Sequence, residues 1–285
     1  GSLVLSVLLD REGRVLEMEL AAGSGERGLD DAARRIVELA AENGIYLNLE
    51  LANHGTLSTK IDREWPDNPL SSTTRPNGFL KYATEILYNE RANALHRRRM
   101  RYMVARWGYS RSIAWWGVMT ECEWVEPYFR SLGWGGAPEG NPSWAPNPYR
   151  TSRFREPWVD WLTRTGRAIA EIDAHPHLVS VHFSNPWNGQ EIWRRDGIDV
   201  VHNNAYTSFA RHLVGGRRSR WAGVVDVMLG YDRVMGSLSR DKPLIVGEWG
   251  GKPADNREEQ LLVELHTGSW AMAMTRCAGS TGYWW

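Results

Sequence analysis

The chain has 285 residues, 42% of them hydrophobic, and its 34 basic residues are balanced by 34 acidic ones. That length suits a single domain with a sizeable core, and a formal charge of zero carries no electrostatic footprint for nucleic acid or an anionic membrane. Two cysteines, Cys122 and Cys277, exclude a disulfide framework and an all-cysteine metal site, and no apolar stretch reaches the ~20 residues of a membrane span.

In chain order, Leu3–Leu9 reads as a short apolar strand. Arg14–Leu20 is a candidate for another, but its short link to Leu9 would make an antiparallel hairpin. Leu29–Asn43 has helical spacing (Ala33, Ile36, Val37, Leu39, Ala40) and stops at Asn43-Gly44, a C-terminal helix signal. Ile45–Leu51 is the next strand, and Phe79–Trp107 one or two helices with the basic run His96–Arg99 on a solvated face. Ser112–Thr120 follows as a strand, Glu156–Ala174 as a helix, and Leu178–Phe183 and Ile198–His202 as strands. Val224–Leu238 is helical, Pro243–Val246 extended, Arg257–Met274 helical, and Ser280–Trp285 the last strand.

Short strands separated by helices imply βαβ crossovers and a parallel sheet. No Gly-x-Gly-x-x-Gly, Walker loop or Gly-x-Ser-x-Gly elbow occurs, which argues against nucleotide-binding and α/β-hydrolase versions of such a sheet. The expected fold is one (β/α)8 TIM barrel over 1–285. Seven strands are expected in it, from the second to the eighth, without a helix after the last. A fragment, or a terminal strand supplied from elsewhere, would account for that count. Two long loops, Ala52–Gly78 and Cys122–Arg150, follow strands and so belong to the rim where barrels build active sites.

Two glutamates carry most of the chemistry. Glu121 closes Ser112-Ile-Ala-Trp-Trp-Gly-Val-Met-Thr-Glu121, and Glu248 closes Pro243-Leu-Ile-Val-Gly-Glu248. Each is the first carboxylate after an apolar run that reads as a buried parallel strand. A glycosidic bond breaks when one carboxyl protonates the leaving oxygen and a second attacks the anomeric carbon or activates water. Glu123 is the substitute for Glu121, because the two would face the same way on an extended strand. His54 and His202 stand at strand ends, where they could donate to substrate hydroxyls or to a carboxylate; His182 and Asn185 are similarly placed. Tyr206 is read either as a core residue or as a phenol that orients the nucleophile and keeps it ionised.

Tryptophan is the compositional outlier, with 16 residues. Trp158, Trp161 and Trp221 lie on helical patterns and read as core. Trp65, Trp124, Trp134, Trp144 and Trp187 lie in loops and read as walls of a sugar-binding cleft. No His-x-x-x-His or Cys-x-x-Cys spacing is present, so neither a metal nor a cofactor is expected.

These motifs resemble a known family. Trp116-Gly-Val-Met-Thr-Glu121 is similar to the strand-four acid/base motif of clan A glycoside hydrolases, and Lys242-Pro-Leu-Ile-Val-Gly-Glu248-Trp-Gly to the strand-seven nucleophile motif, especially in family 5 and its cellulase-like relatives. Asn53-His54-Gly55, Tyr102–Tyr109 and Tyr283-Trp-Trp285 fit the same resemblance. It implies Glu121 as acid/base, Glu248 as nucleophile, Tyr206 as its hydrogen-bond partner and Trp284 or Trp285 as a sugar platform. Around them the substrate-binding set is expected to be His54, Thr120, Trp124, His182, Asn185, His202 and Trp249. Two departures stand out: Thr120 replaces the Asn that usually precedes the acid/base, and Leu3–Leu9 lacks the arginine often found on an early strand. The expected activity is that of a retaining β-glycoside hydrolase on a poly- or oligosaccharide. The alternatives are a transglycosylase and a carbohydrate-binding pseudoenzyme on the same barrel. No signal peptide is visible, and a secreted or periplasmic location follows from the resemblance alone. Sugar identity, cysteine pairing and oligomeric state stay open at this stage.

Overall fold

The computed structural model describes residues 2–4, 8–9, 15–16, 19–21, 27–126, 128, 155–185, 187–209, 223–238, 241–251 and 258–283. Near the start, β1 (Ser2–Val4) and β4 (Glu19–Ala21) pair antiparallel, as do β2 (Leu8–Leu9) and β3 (Val15–Leu16). The barrel strand expected over Leu3–Leu9 is thereby corrected: its residues pair in these antiparallel ladders, outside the main sheet. The short link from Leu9 to Val15 cannot hold the dozen or so residues of a parallel crossover, so antiparallel pairing is the geometry it permits.

Helix α1 (Arg27–Asn43) ends as its sequence predicts. Asn43 Nδ2 donates to the Leu39 carbonyl, and Gly44 takes a left-handed φ of 66°. From there strand and helix alternate: β5 (Leu47–Glu50), α2 (Glu90–Trp107), β6 (Ile113–Gly117), α3 (Arg155–Ile172), β7 (Leu178–Phe183), α4 (Gln190–Trp193), β8 (Val200–Tyr206), α5 (Val224–Leu238), β9 (Leu244–Gly250), α6 (Glu258–Ala273) and β10 (Gly279–Tyr283). All six strands from β5 to β10 run parallel and lie side by side in chain order. Each crossover therefore advances one strand, and the carboxyl ends of all six share one rim. The sheet curls into a partial (β/α)8 barrel of six strands, one fewer than expected, because Leu3–Leu9 is not among them.

The helix-facing side of the sheet is the apolar core. Trp158 and Trp161 stack with ring centroids 5.3 Å apart, and Trp161 Nε1 donates to Asn93 Oδ1 at 2.8 Å. At ~25 cal/mol/Å² and roughly 200 Å² per ring, each buried indole contributes on the order of 5 kcal/mol before ordering entropy is subtracted. Trp65, expected on a cleft wall, is also core, with 3% of its surface exposed. Of the run His96–Arg99 expected on a solvated face, Arg97–Arg99 are exposed on α2, whereas His96 turns inward and lies with its ring centroid 4.8 Å from that of Trp161. Cys122 and Cys277 are both free thiols. No helix among the described residues is long and apolar enough to cross a membrane.

One strand breaks the apolar rule. Central β8 reads Val-Val-His-Asn-Asn-Ala-Tyr, yet Val200 to Ala205 are all buried. Alternation sends Asn203 toward the helices, where it accepts the Tyr231 hydroxyl of α5. It sends His202, Asn204 and Tyr206 into the barrel interior, toward the rim described next.

Candidate active site

Glu248 lies within β9 on the interior side. Glu121 lies just beyond β6, at φ 39° and ψ 58°. A non-glycine residue in that left-handed region costs about 1–2 kcal/mol, and such strain is found mostly where surrounding structure enforces a functional geometry. Here it turns the chain into the 3-10 turn Cys122–Trp124, so Glu121 and Glu123 diverge instead of sharing a face. Glu123 turns to the loop after β7. There it accepts from the Ser184 amide at 3.0 Å, the Ser184 hydroxyl at 2.8 Å, the Asn185 amide at 2.7 Å and Asn188 Nδ2 at 3.5 Å.

Glu121 instead meets Glu248 across one amide. Asn204 Nδ2 donates to Glu121 Oε1 at 3.0 Å and to Glu248 Oε2 at 3.2 Å, so the two oxygens are separated by no more than about 6 Å, those distances laid end to end. Asn204 is itself fixed: its Oδ1 accepts from the Glu248 amide at 2.9 Å and from His182 Nε2 at 2.7 Å. His182 Nδ1 in turn accepts from the Glu121 amide at 3.3 Å. These partners assign the neutral tautomer with its proton on Nε2. Room for the cluster comes from Gly247, where a Cβ would fall 2.6 Å from His202 Nε2 and 2.8 Å from His182 Nε2. The Tyr206 hydroxyl donates to Glu248 Oε2.

The flank of Glu121 is built from the β5 loop. Thr120 Oγ1 accepts from the His54 amide at 3.2 Å and lies 3.2 Å from His54 Nδ1. His54 Nε2 lies 2.8 Å from Asp62 Oδ2, and its Nδ1 3.8 Å from Glu121 Oε2.

Burial governs the proton affinities. It drives Glu121 well above the ordinary carboxylate value, and the negative charges of Glu248, Glu123 and Asp62 add to the rise. It raises Glu248 too, but the Tyr206 hydroxyl pulls back toward the ionised form. The donors thus favour the ionised form at Glu248, while burial and the neighbouring negative charges favour the protonated form at Glu121. Burial also lowers His182 to about 4 and His202 well below its usual range, so both imidazoles are neutral at pH 7. The Tyr206 phenol is pushed up, by burial first and then by Glu248.

Of the residues expected around substrate, His54, Thr120 and Tyr206 adjoin the pair. His182 and His202 lie deeper than expected, at 4% and 1% exposure, and His182 serves Asn204 and the Glu121 amide. Asn185 lies in the loop after β7, where its backbone amide donates to Glu123 at 2.7 Å and its Oδ1 accepts from the Trp187 amide at 3.0 Å. Trp249 alternates with Glu248 along β9, so it points away from the pair; it is 2% exposed, packs over Gly268 and donates from Nε1 to Ser280 Oγ at 3.3 Å. Trp124 is partly buried against the core in the turn after Glu121, and Trp187 is packed likewise. Trp134, Trp144, Trp221, Trp284 and Trp285 lie outside the described residues. Asn204 and Asp62 were not expected. Asn204 was within reach of the strand pattern, standing two residues before Tyr206 on the same face.

Glu50, His182 and His202 bring their ligand atoms within 4.8 Å of one another. The group does not fit a metal. The imidazoles stack at 4.3 Å and 23°, so their lone pairs run side by side instead of converging, and both His182 nitrogens already have partners.

No protein-family model matches the chain, and no curated protein matches it. Solved structures do. An endo-1,4-beta-D-mannanase from Thermotoga petrophila RKU-1 is 13% identical, with a TM-score of 0.54 over 87% of this chain and 66% of its own. A glycoside hydrolase family 5 mannosidase from Rhizomucor miehei is 11% identical, with a TM-score of 0.55 over 91% of this chain and 64% of its own. A GH5-4 broad specificity endoglucanase from an uncultured bacterium is 14% identical, with a TM-score of 0.50 over 97% and 70%. The chain thus spans slightly less than two thirds of the length of the first two. At these identities the likeness is one of fold: the chain has the strand–helix architecture of the clan A, family 5-like glycoside hydrolase barrels.

Proposed function

We propose that the chain is a retaining β-glycoside hydrolase in which Glu248 is the nucleophile and Glu121 the acid/base. The observation that carries this reading is the single Asn204 amide hydrogen-bonded to both carboxylates, with the Tyr206 hydroxyl on one of them only. Retaining enzymes hold their carboxyl groups about 5–5.5 Å apart and inverting ones roughly 6.5–9.5 Å; a shared amide supports the shorter class. Tyr206 and Asn204 hold Glu248 ionised and aimed. Glu121, with one donor among the described residues and a neighbouring charge, retains its proton for the leaving oxygen. Once Glu248 bonds the anomeric carbon its charge is gone, the proton affinity of Glu121 drops, and Glu121 is ready to take a proton from the attacking water.

The substrate is proposed to be a poly- or oligosaccharide. Thr120, where the resemblance expects an Asn, is engaged with His54, so a sugar hydroxyl near it would meet the Thr120–His54 pair. The test is a panel of aryl β-glycosides and β-linked polysaccharides, with product stereochemistry followed by NMR and trapping by a 2-fluoro glycoside. A β-anomer as first product, and label on Glu248, is the expected result. An α-anomer first, or label elsewhere, overturns the assignment. Sugar binding without turnover would identify the pseudoenzyme, and a sugar product in place of hydrolysis the transglycosylase.

A further inference from the structure

Below the pair lies another glutamate that the proposed reaction does not use, its side chain only a tenth exposed. Glu50 ends β5 with its side chain in the barrel interior, where Asn48 Nδ2 donates to its Oε1 at 3.0 Å. The neighbouring strand makes room for it: a Cβ on Gly117 of β6 would fall 1.9 Å from Glu50 Oε2. His202 Nδ1 lies 3.6 Å from Oε1 and 3.3 Å from Ser180 Oγ, and the His202 ring stacks on His182, the residue that holds Asn204. Glu50 Oε2 is buried and, like His202 Nε2, has no hydrogen-bond partner among the described residues. A buried carboxylate needs donors on both oxygens. One oxygen here has a single amide and the other has none, which is an environment for the neutral acid.

We propose that Glu50 is a charge-coupled positioning residue of the carboxylate pair: it holds a proton in the barrel interior while Glu248 carries the negative charge, so that the buried site keeps one anion instead of two. The proposal rests on the reading of Glu248 as the ionised nucleophile. The titratable groups that face Glu50 among the described residues are Glu248 from β9, His202 from β8, His182 from β7 and Cys122 from the turn after β6. Both histidines are neutral, so none of these groups supplies a cation to offset a second negative charge. In keeping with this, burial pushes the Glu50 carboxyl up to about 7, Asn48 pulls it back, and the charge on Glu248 adds to the rise. Coulomb coupling is mutual, so ionising Glu50 raises the proton affinity of Glu248 in return.

The experiment follows the Glu50 carboxyl by ¹³C NMR of glutamate-labelled protein, assigned with E50Q, in the wild type, E248Q and G117A. Glu50 should titrate near 7 in the wild type, and E248Q should lower its midpoint by on the order of one pH unit. In G117A the new methyl displaces the carboxyl, and the dependence on Glu248 should disappear. A wild-type midpoint near 4.5, the ordinary value, overturns the proposal. So does a midpoint that is the same with and without the Glu248 charge. In the pH dependence of kcat/KM, E50Q of unchanged Tm should lose the inflection near pH 7; a profile superimposable on the wild type also overturns it. The NMR arm needs no turnover. An E248Q variant that still hydrolyses substrate would sink the glycosidase reading, while the Glu50 shift is read independently.

Discussion

Glu121 and Glu123 stand two residues apart in one turn, the first half-buried and the second buried, and the structure uses them in opposite ways. Glu123 accepts from two backbone amides, a hydroxyl and a side-chain amide. Its oxygens are occupied, and it ties the turn after β6 to the loop after β7. Among the described residues Glu121 has one donor, Asn204, which it shares with another carboxylate. The donors around Glu123 favour its ionised form against the burial that raises it, and they tie it into the structure. A carboxyl that is half-buried, under-donated and next to an acid keeps a proton it can give away. The left-handed backbone at Glu121 separates the two, because an extended chain would have pointed both into the barrel.

The comparison breaks most sharply at Glu248. E248Q should lose more than the roughly 10²–10⁴-fold that general acid–base catalysis contributes, with sugar binding by calorimetry nearly unchanged; turnover close to wild type would remove the pair from the mechanism. Next in size is E121Q. It should lose about 10²–10⁴-fold on substrates with poor leaving groups and much less on activated aryl glycosides, which need no acid. An equal loss on both substrates would mean that Glu121 is not the proton donor. Because Glu121 is raised well above the usual carboxylate value, wild-type activity should persist above pH 4.5 and fall as pH rises through its ionisation.

Much of this arrangement was legible in the sequence. Leu178–Phe183 and Val224–Leu238 fall where periodicity puts them, and the Asn43-Gly44 stop is a left-handed C-terminal cap. Glu248, Glu121 and Tyr206 meet because short apolar runs followed by an acid mark strand ends on one rim. What escaped depended on three-dimensional facing. His182 and His202 stand in rim strands, a position that suits a sugar hydroxyl or a carboxylate as partner; pleat and depth place them beneath the carboxylates, with His182 bonded to Asn204. Trp249 was read with its neighbour Glu248, although adjacent strand residues point to opposite faces. Asn204 and Glu50 were missed because a polar residue inside a β-strand reads as noise until its neighbours are known. The run His202-Asn203-Asn204 on a central, wholly buried strand was the available signal.

Tyr206 sharpens the comparison by a smaller step. Y206F removes a donor that favours the ionised form of Glu248, so the proton affinity of Glu248 rises. Glu248 must be ionised to attack, and the acidic limb of the kcat/KM profile should therefore move to higher pH. A hydrogen bond to a charged group is worth about 1.5–3 kcal/mol, which corresponds to a loss of roughly 10–150-fold below the optimum. An acidic limb that stays in place, or moves to lower pH, would mean that the phenol does not govern the ionisation of Glu248.

The smallest effect on rate, and the most discriminating, is expected at Glu123. In E123Q an amide that carries its own N–H replaces one carboxylate oxygen, so at least one of the Ser184 and Asn185 donors loses its acceptor. A buried donor left unsatisfied costs about 1–3 kcal/mol, to be read as a lower denaturant midpoint with the slope unchanged. The chemistry should pass almost untouched, with kcat within about threefold of the wild type and the alkaline limb shifted slightly to lower pH, since Glu123 contributes part of the negative charge that raises Glu121. The outcome separates the two glutamates by kind of damage: E121Q costs rate and spares stability, whereas E123Q costs stability and spares rate. If E123Q instead lost 10²-fold or more in kcat at full stability, Glu123 would be the proton donor and the turn at Glu121 a scaffold for it.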